Sequence, residues 1–270
     1  KVMVFDGNQS LGEASVTGTH WIFQLTTALS LGSHQLRAEI SGATPQIQTS
    51  TWTFVVFQQT LPHTGVTSSQ CFQSGSNTLI SCTNANAVGF NSNQDGMRTT
   101  VNPKSYSQVG NYPKTSCVKD NVTGLIWEGK EASGTRSGSN TYTNYTDNNS
   151  AQKFDPNSFN YVVPSQYDIN ASFNTYGYVN AVNALALCGY ADWRLPTATE
   201  LQTLIDYSLP SPGPAIDTTW LPNTASAHYW TSKSYVSDLA NSYFVDFQYG
   251  THGYQATEYL YHVRLVRDSP

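Results

Sequence analysis

Apolar and polar residues alternate through the first 57 positions: Val2 and Val4, then Trp21, Phe23 and Leu25, then Leu36, Ala38 and Ile40, then Trp52, Phe54 and Val56. A two-residue period marks strands that bury one face. Asp6-Gly7-Asn8, Gly32 and Gly42 punctuate the runs as turns, so residues 1–57 read as an all-β module. His20 and His34 fall at strand edges in that reading and are not taken as ligands. Residues 58–69 follow as a linker, in which Pro62 and Gly65 supply turn chemistry. Leu61-Pro62-His63-Thr64-Gly65 spells a sortase sorting signal, but about two hundred residues of foldable chain come after it, so the match is accidental. From 70 to 115 the periodicity fades into Asn- and Ser-rich sequence, expected to be irregular.

Order returns at Val118, where Asp120-Asn121 and Gly124 set a turn between two strands and Leu125, Ile126 and Trp127 enter the core. An insertion over 129–174, rich in Asn, Ser, Thr and Tyr, is either functional or disordered. Tyr178–Leu187 reads as a helix with Val179, Val182, Leu185 and Ala186 on one face and Gly189 as its stop. A second helix opens at a capping box, Thr197 with Glu200 three residues on, just after Pro196. Leu201, Leu204 and Ile205 share its face, and it is expected to end near Tyr207. Pro210, Pro212, Pro214 and Pro222 then frame an extended loop. Three strands close the chain: from His228, from Ser242, and from Tyr261 to Arg267. Two helices among strands, with the first and last strands paired, predict an α+β domain over 70–268.

Charged residues make up only 11% and the net charge is −5, which argues against nucleic acid or an anionic membrane as partner. Aromatics reach 13%, a palette that suits secreted β-rich binding proteins. No apolar run is long enough to span a bilayer, and targeting or anchoring segments are expected outside this stretch. Four cysteines allow three pairings. None has zinc-site spacing, and Cys71–Cys82 with Cys117–Cys188 is the favoured set. No cofactor is expected. Metal binding stays open, since acidic and Asn side chains are plentiful but no Asp-x-Asp-x-Asp-Gly calcium loop occurs.

Four motifs occur in order: Asp120-Asn-Val-Thr-Gly-Leu-Ile-Trp127; Cys188-Gly with Asp192-Trp-Arg-Leu-Pro-Thr and Glu200-Leu; Tyr229-Trp-Thr-Ser232; and Val263-Arg-Leu-Val-Arg267. Together they resemble the C-terminal domain of Lcl-type collagen-like adhesins and other bacterial surface proteins, over roughly residues 60–268. The resemblance implies a C-type-lectin-like fold of the formylglycine-generating-enzyme type. It also implies an extracellular receptor or adhesin with a protein or glycan ligand on a cell, phage or host surface. Some members are variable proteins of diversity-generating retroelements, and others are non-diversified glycan-binding adhesins. Residues 1–57 resemble a bacterial Ig-like repeat, short of a full sandwich.

Residues 229–262 hold seven of the 17 tyrosines. Adenine mutagenesis of Asn-type codons never yields Gln, Glu, Lys or Trp, so Lys233, Gln248, Gln255 and Glu258 would be fixed. Tyr235, Asp238, Asn241, Tyr243, Asp246, Tyr249, His252, Tyr254, Tyr259, Tyr261 and His262 are the candidate ligand-binding residues, with Leu239 and Leu260 also open to variation. Tyrosine gives stiff, amphipathic contact at low entropy cost, and Ser, Asn and Gly give adaptable hydrogen bonds. Catalysis is not expected. No cysteine follows Cys188, no His-Glu-x-x-His or nucleophile elbow occurs, and Asp192, Glu200 and Asp206 read as turn, cap and helix-end residues.

Overall fold

A computed structural model describes the chain except for residues 19, 27–28, 30–31, 46, 57–60, 77, 88–94, 98–100, 210–211 and 270, and except for the side chains of 32–33 and 54–56. The expected start of the linker, the Phe54 and Val56 side chains and Pro210 therefore lie outside the described residues. Two compact units result, Lys1–Gln59 and Thr60–Pro270.

In the first unit, β1 (Val2–Asp6), β2 (Gln9–Thr17), β3 (His20–Ile22), β4 (Gly32–Ile40) and β5 (Trp52–Val56) form one antiparallel sheet in the order β3-β2-β1-β4-β5. Asp6 pairs with Gln9, so the β1–β2 turn is Gly7-Asn8, with Gly7 at φ +55. Val4, Ala14 and Ala38 are buried, with Val2, Leu11 and Phe23 packed on them. Trp21, Leu25 and Trp52, expected to alternate inward, are exposed. His34 is buried and hydrogen-bonded to Asp6.

The second unit is β-rich with few helices. Its polar N-terminal part is pinned by the Cys71–Cys82 disulfide across β6 (Cys71–Phe72) and β7 (Leu79–Ile80). The sortase-like stretch is built into the domain: Tyr207 N–H donates to Thr64 O (2.8 Å), and a Cβ on Gly65 would meet Asp206 Oδ1 at 1.9 Å. A central sheet follows from β8 (Tyr106–Gln108), β9 (Cys117–Asp120) and β10 (Ile126–Glu128), completed by the closing strand Val266–Arg267 beside β10. Asp120 organises the β9–β10 turn: its Oδ1 accepts from Val122 N (2.9 Å), its carbonyl accepts from Gly124 N (2.9 Å), and Gly124 takes φ +78.

The insertion is ordered. It carries a hairpin, β11 (Lys153–Asp155) with β12 (Asn160–Val162), and the helix α1 (Gln166–Asn170). Its asparagines stand in for missing backbone partners. Asn174, fully buried, accepts from Tyr145 N (2.8 Å) and donates to Ile169 O (2.7 Å) and Tyr145 O (3.1 Å). Asn144 donates to Thr231 O (3.2 Å) and accepts from Thr175 Oγ1 (2.6 Å).

Both predicted helices form with different limits. α2 spans Thr175–Ala184, starting earlier than Tyr178 and leaving Leu185 61% exposed rather than inward. It stops because Ala186 and Cys188 adopt left-handed φ (46 and 55), a kink at the residue joined by disulfide to Cys117. α3 (Ala198–Gln202) begins at the expected box: Thr197 Oγ1 accepts from Glu200 N (3.2 Å) and Glu200 Oε2 from Thr197 N (2.7 Å). It ends well short of Tyr207, where Thr203 Oγ1 takes the Glu200 carbonyl (2.6 Å) and Lys104 Nζ the Thr203 carbonyl (2.7 Å). Leu201, Leu204 and Ile205 are nevertheless all buried, the last two through the tight turn after the helix.

β13 (His228–Ser234), β14 (Asn241–Asp246) and β15 (Thr251–Ala256) make a three-stranded antiparallel sheet, and the closing strand β16 is only Val266–Arg267. Tyr261 and His262, expected within that strand, make single bridges to Tyr142 and Tyr229. Successive strand residues face opposite ways, and here both faces are covered. Trp127, Tyr229 and Val266 enter one core cluster, while Ile126, Trp230 and Leu265 enter the other.

Candidate functional site

The candidate residues near the C-terminus do not form one surface. Three tyrosines do. Tyr243 faces Tyr254 across β14 and β15. The β13–β14 register shifts by two residues between Trp230 and Ser234, and this brings Tyr235 over the pair. Tyr235 and Tyr254 stack with centroids 4.0 Å apart and planes at 3°; Tyr243 meets them edge-on at 5.6 and 6.5 Å. Tyr254 is 52% exposed, and Tyr235 and Tyr243 are half-buried. Each ring thus offers an apolar body with a wet hydroxyl, the chemistry of an interface anchor.

Asp238 and Asn241 shape the turn beside this trio. Asp238 Oδ1 accepts from Ala240 N (3.0 Å), its Oδ2 from Asn241 Nδ2 (2.8 Å), and Tyr235 N donates to Asn241 O (2.8 Å). The insertion braces the same turn, since Asn148 Nδ2 and Ser150 Oγ donate to Leu239 O at 3.1 and 3.0 Å. His252 is exposed on β15, two residues from Tyr254, and meets Gln202 of α3 at 3.0 Å.

The remaining candidates lie elsewhere. Tyr249, exposed, sits in the β14–β15 turn at the far end of the hairpin. Asp246 is buried, accepting from Gln248 N (2.7 Å) and lying 3.7 Å from His228. Tyr261 packs on Trp230 (4.6 Å), His228 and Phe244, and burial pushes its hydroxyl pKa up. His262 Nδ1 is buried without a partner, and burial holds its imidazole pKa down. Tyr259 is exposed beyond Tyr261, beside Glu258, whose carboxylate accepts from Tyr161 OH (2.8 Å) and Phe154 N (3.1 Å) of the insertion hairpin. Residue type alone carries no sign of this inward packing.

Two features escape the sequence reading. The first is a buried polar network. Glu128 Oε1 accepts from Lys130 Nζ (3.0 Å) and from the Tyr178 hydroxyl, and Oε2 accepts from Leu265 N (3.0 Å). Arg264 donates to Glu128 O (2.5 Å) and Thr224 Oγ1 (2.7 Å). Burial outweighs the adjacent carboxylate and lowers the Lys130 pKa to about 8, and it drives the Tyr178 hydroxyl far upward. These groups are sealed inside and lock β10 to the chain before β16.

The second is a groove of about 540 Å³ between residues 144–147, α1, the start of α2 and the Arg194-Leu195 stretch. Arg194 forks onto Glu200 at 2.7 and 2.9 Å and reaches Asp268 at 3.3 Å. Burial would raise the Glu200 carboxyl, but Arg194 and the Thr197 cap hold it below the ordinary range. Asp192 is likewise lowered by Arg267, its partner at 2.7 and 3.1 Å. The carboxylates of the motif region are thus structural ion pairs. No group of three or more metal-ligating side chains occurs among the described residues, and no helix among them is long and apolar enough to cross a membrane.

The class these features define is a β-rich, two-disulfide domain that displays tyrosines at one end of a C-terminal sheet. Residues 116–267 match the model of the Lcl C-terminal domain, and the chain belongs to that family. The family suggests an adhesin-like surface protein, and the two disulfides are consistent with an extracellular or surface setting. The comparison with curated proteins returned no match.

Proposed function

We propose that this protein is an extracellular, non-enzymatic receptor or adhesin whose 70–268 region is a C-type-lectin-like binding domain behind an Ig-like spacer. Its ligand contacts the Tyr235–Tyr243–Tyr254 cluster. The observation that carries this reading is the stacked pair with its edge-on third ring, in which Tyr254 is 52% exposed and Tyr235 and Tyr243 are half-buried. The pairing of β10 with the closing strand beside few, short helices supports the fold assignment. Family membership supports a diversified surface, the variable protein of a diversity-generating retroelement; a non-diversified glycan-binding adhesin is the second reading.

The test is a titration against the strongest hit of a glycan and protein array. Tyr243→Ala with Tyr254→Ala should weaken binding more than tenfold, since truncating central interface tyrosines costs about 2 kcal/mol or more. Circular dichroism should stay unchanged. Unaltered affinity in the folded double variant sinks the assignment. For diversification, the gene should neighbour a reverse transcriptase and a near-copy of the codons for 229–268; without that copy the surface is that of a fixed adhesin.

A further inference from the structure

The groove beside α1 and α2 has no role in the reading above, and its chemistry is specific. Its volume of about 540 Å³ falls within the range of small-molecule sites. Two tyrosines line it, Tyr145 nearly buried and Tyr176 52% exposed. Burial raises the Tyr145 pKa to about 12, so its hydroxyl stays a proton donor at any physiological pH. Among the described residues neither hydroxyl, nor the Gln166 carboxamide, nor the Asp147 carboxylate has a hydrogen-bond partner in the protein, although all four residues line the groove. The neighbouring amides of Asn144 and Asn174 are engaged in holding the walls. The groove thus presents several polar groups that the protein leaves open to a ligand.

The charge balance narrows the ligand. Arg194, the groove's one cation among its lining residues, is already bound by Glu200 and Asp268. Asp147 adds an unpaired negative charge at the rim. A sulfate, phosphate or carboxylate would face net repulsion with no free cation to receive it. A purely apolar ligand would strand the open hydroxyls and amide without partners. What satisfies both is a neutral ring with one C–H face to lie on tyrosine and vicinal hydroxyls to bridge amide and carboxylate oxygens.

We propose that this groove binds a neutral saccharide unit, with Tyr176 as the stacking platform and Gln166 and Asp147 as the hydroxyl-reading groups. The site does not depend on the tyrosine sheet. The 144–152 segment nonetheless contributes to both, lining the groove through its first residues and bracing the Leu239 turn through Asn148 and Ser150. One ligand with a neutral sugar branch and a second epitope would engage the two together.

The test is an NMR titration of the whole chain with glucose, galactose, mannose, fucose and N-acetylglucosamine separately, and with glucose 6-sulfate as the charged comparison. At least one neutral sugar should shift resonances of Tyr145, Gln166 and Tyr176 saturably in the millimolar range, and glucose 6-sulfate should bind more weakly than glucose. Tyr176→Ala and, independently, Gln166→Ala should each raise Kd about tenfold. Among the described residues neither side chain makes a hydrogen bond within the protein, so folding should be retained. Tyr112→Ala, on the β8–β9 loop, and the Tyr243→Ala/Tyr254→Ala pair should leave sugar binding unchanged. Absence of shifts with all five sugars, tighter binding of the sulfated sugar, or loss of binding in the sheet variant would each overturn the proposal. Only the last outcome would transfer the sugar to the site proposed above.

Discussion

Replacing Trp193 with alanine separates scaffold from surface. The indole is 2% exposed and lies among Val182, Leu187, Cys188 and Trp230. Its Nε1 donates to Leu187 O (3.1 Å), and its backbone is clasped by Asn183, which accepts from Trp193 N (2.8 Å) and donates to Trp193 O (2.9 Å). Truncation removes the whole ring from a closed core, a cost of about 3–5 kcal/mol. The orphaned Leu187 carbonyl adds about 1 kcal/mol. In a unit running from Thr60 to Pro270, each kcal/mol shifts Tm by about 2–4 °C, so the drop should be roughly 8–24 °C. Trp193→Phe keeps a six-membered aromatic ring in the core but loses the five-membered ring with its N–H, and should fall by less than half as much. The assay is thermal unfolding by circular dichroism, with binding to the array hit measured well below the transition. Ligand affinity of the folded fraction should be unchanged. A near-normal Tm with abolished binding would make Trp193 a ligand platform and refute the reasoning.

Thr197→Ala should cost about 1 kcal/mol in a urea titration, because it removes the hydroxyl half of the α3 capping box. Replacing Cys117 and Cys188 together by serine opens a loop of 71 residues and should cost roughly 4 kcal/mol on the chain-entropy model; peptide mapping without reduction should recover this pair and Cys71–Cys82. The Lys130 pKa of about 8 in the folded state lies below its 10.5 reference, so the unfolded chain holds more protons between those values. Wild-type stability relative to Lys130→Met should therefore rise from pH 8 towards pH 10, as a pH series of denaturant midpoints would reveal. A flat difference would mean that Lys130 is not charged and buried as described.

Local chemistry was legible in the sequence and long-range chemistry was not. The Thr197–Glu200 box, the Asp120–Gly124 turn and the apolar triplet Leu201, Leu204 and Ile205 each depend on neighbours within a few residues, and each is found. The favoured cysteine pairs also form. Helix limits shifted where tertiary demands intervened: the kink at Ala186 and Cys188 shortens α2, and Lys104, 99 positions from Thr203, helps end α3. The insertion looked featureless because much of its order comes from Asn144 and Asn174 bonding to backbone far away in the sequence, which leaves no period to detect. Composition likewise grouped Asp246, Tyr261 and His262 with Tyr243 and Tyr254, although strand alternation and packing turn the former inward.

The path of β13 joins a rigid anchor to an exposed surface. Tyr229 and Trp230, at its start, are fully buried in the two core clusters, and Trp230 Nε1 donates to Tyr142 O (2.8 Å). Thr231 Oγ1 donates to Tyr243 O (2.9 Å), fastening β13 to β14 just before the register shift. Beyond the shift the chain leaves the core, and Tyr235 meets Tyr254 where solvent reaches both. Glu128, Lys130 and Arg264 hold the other end of the sheet's support through buried, charge-assisted bonds. Stability is thus concentrated on one side of the shift and display on the other. Surface substitutions away from such packed features change stability by about 0.5 kcal/mol or less. Substitutions at Tyr254 and its exposed neighbours should therefore disturb the fold far less than substitutions at Trp230 or Arg264.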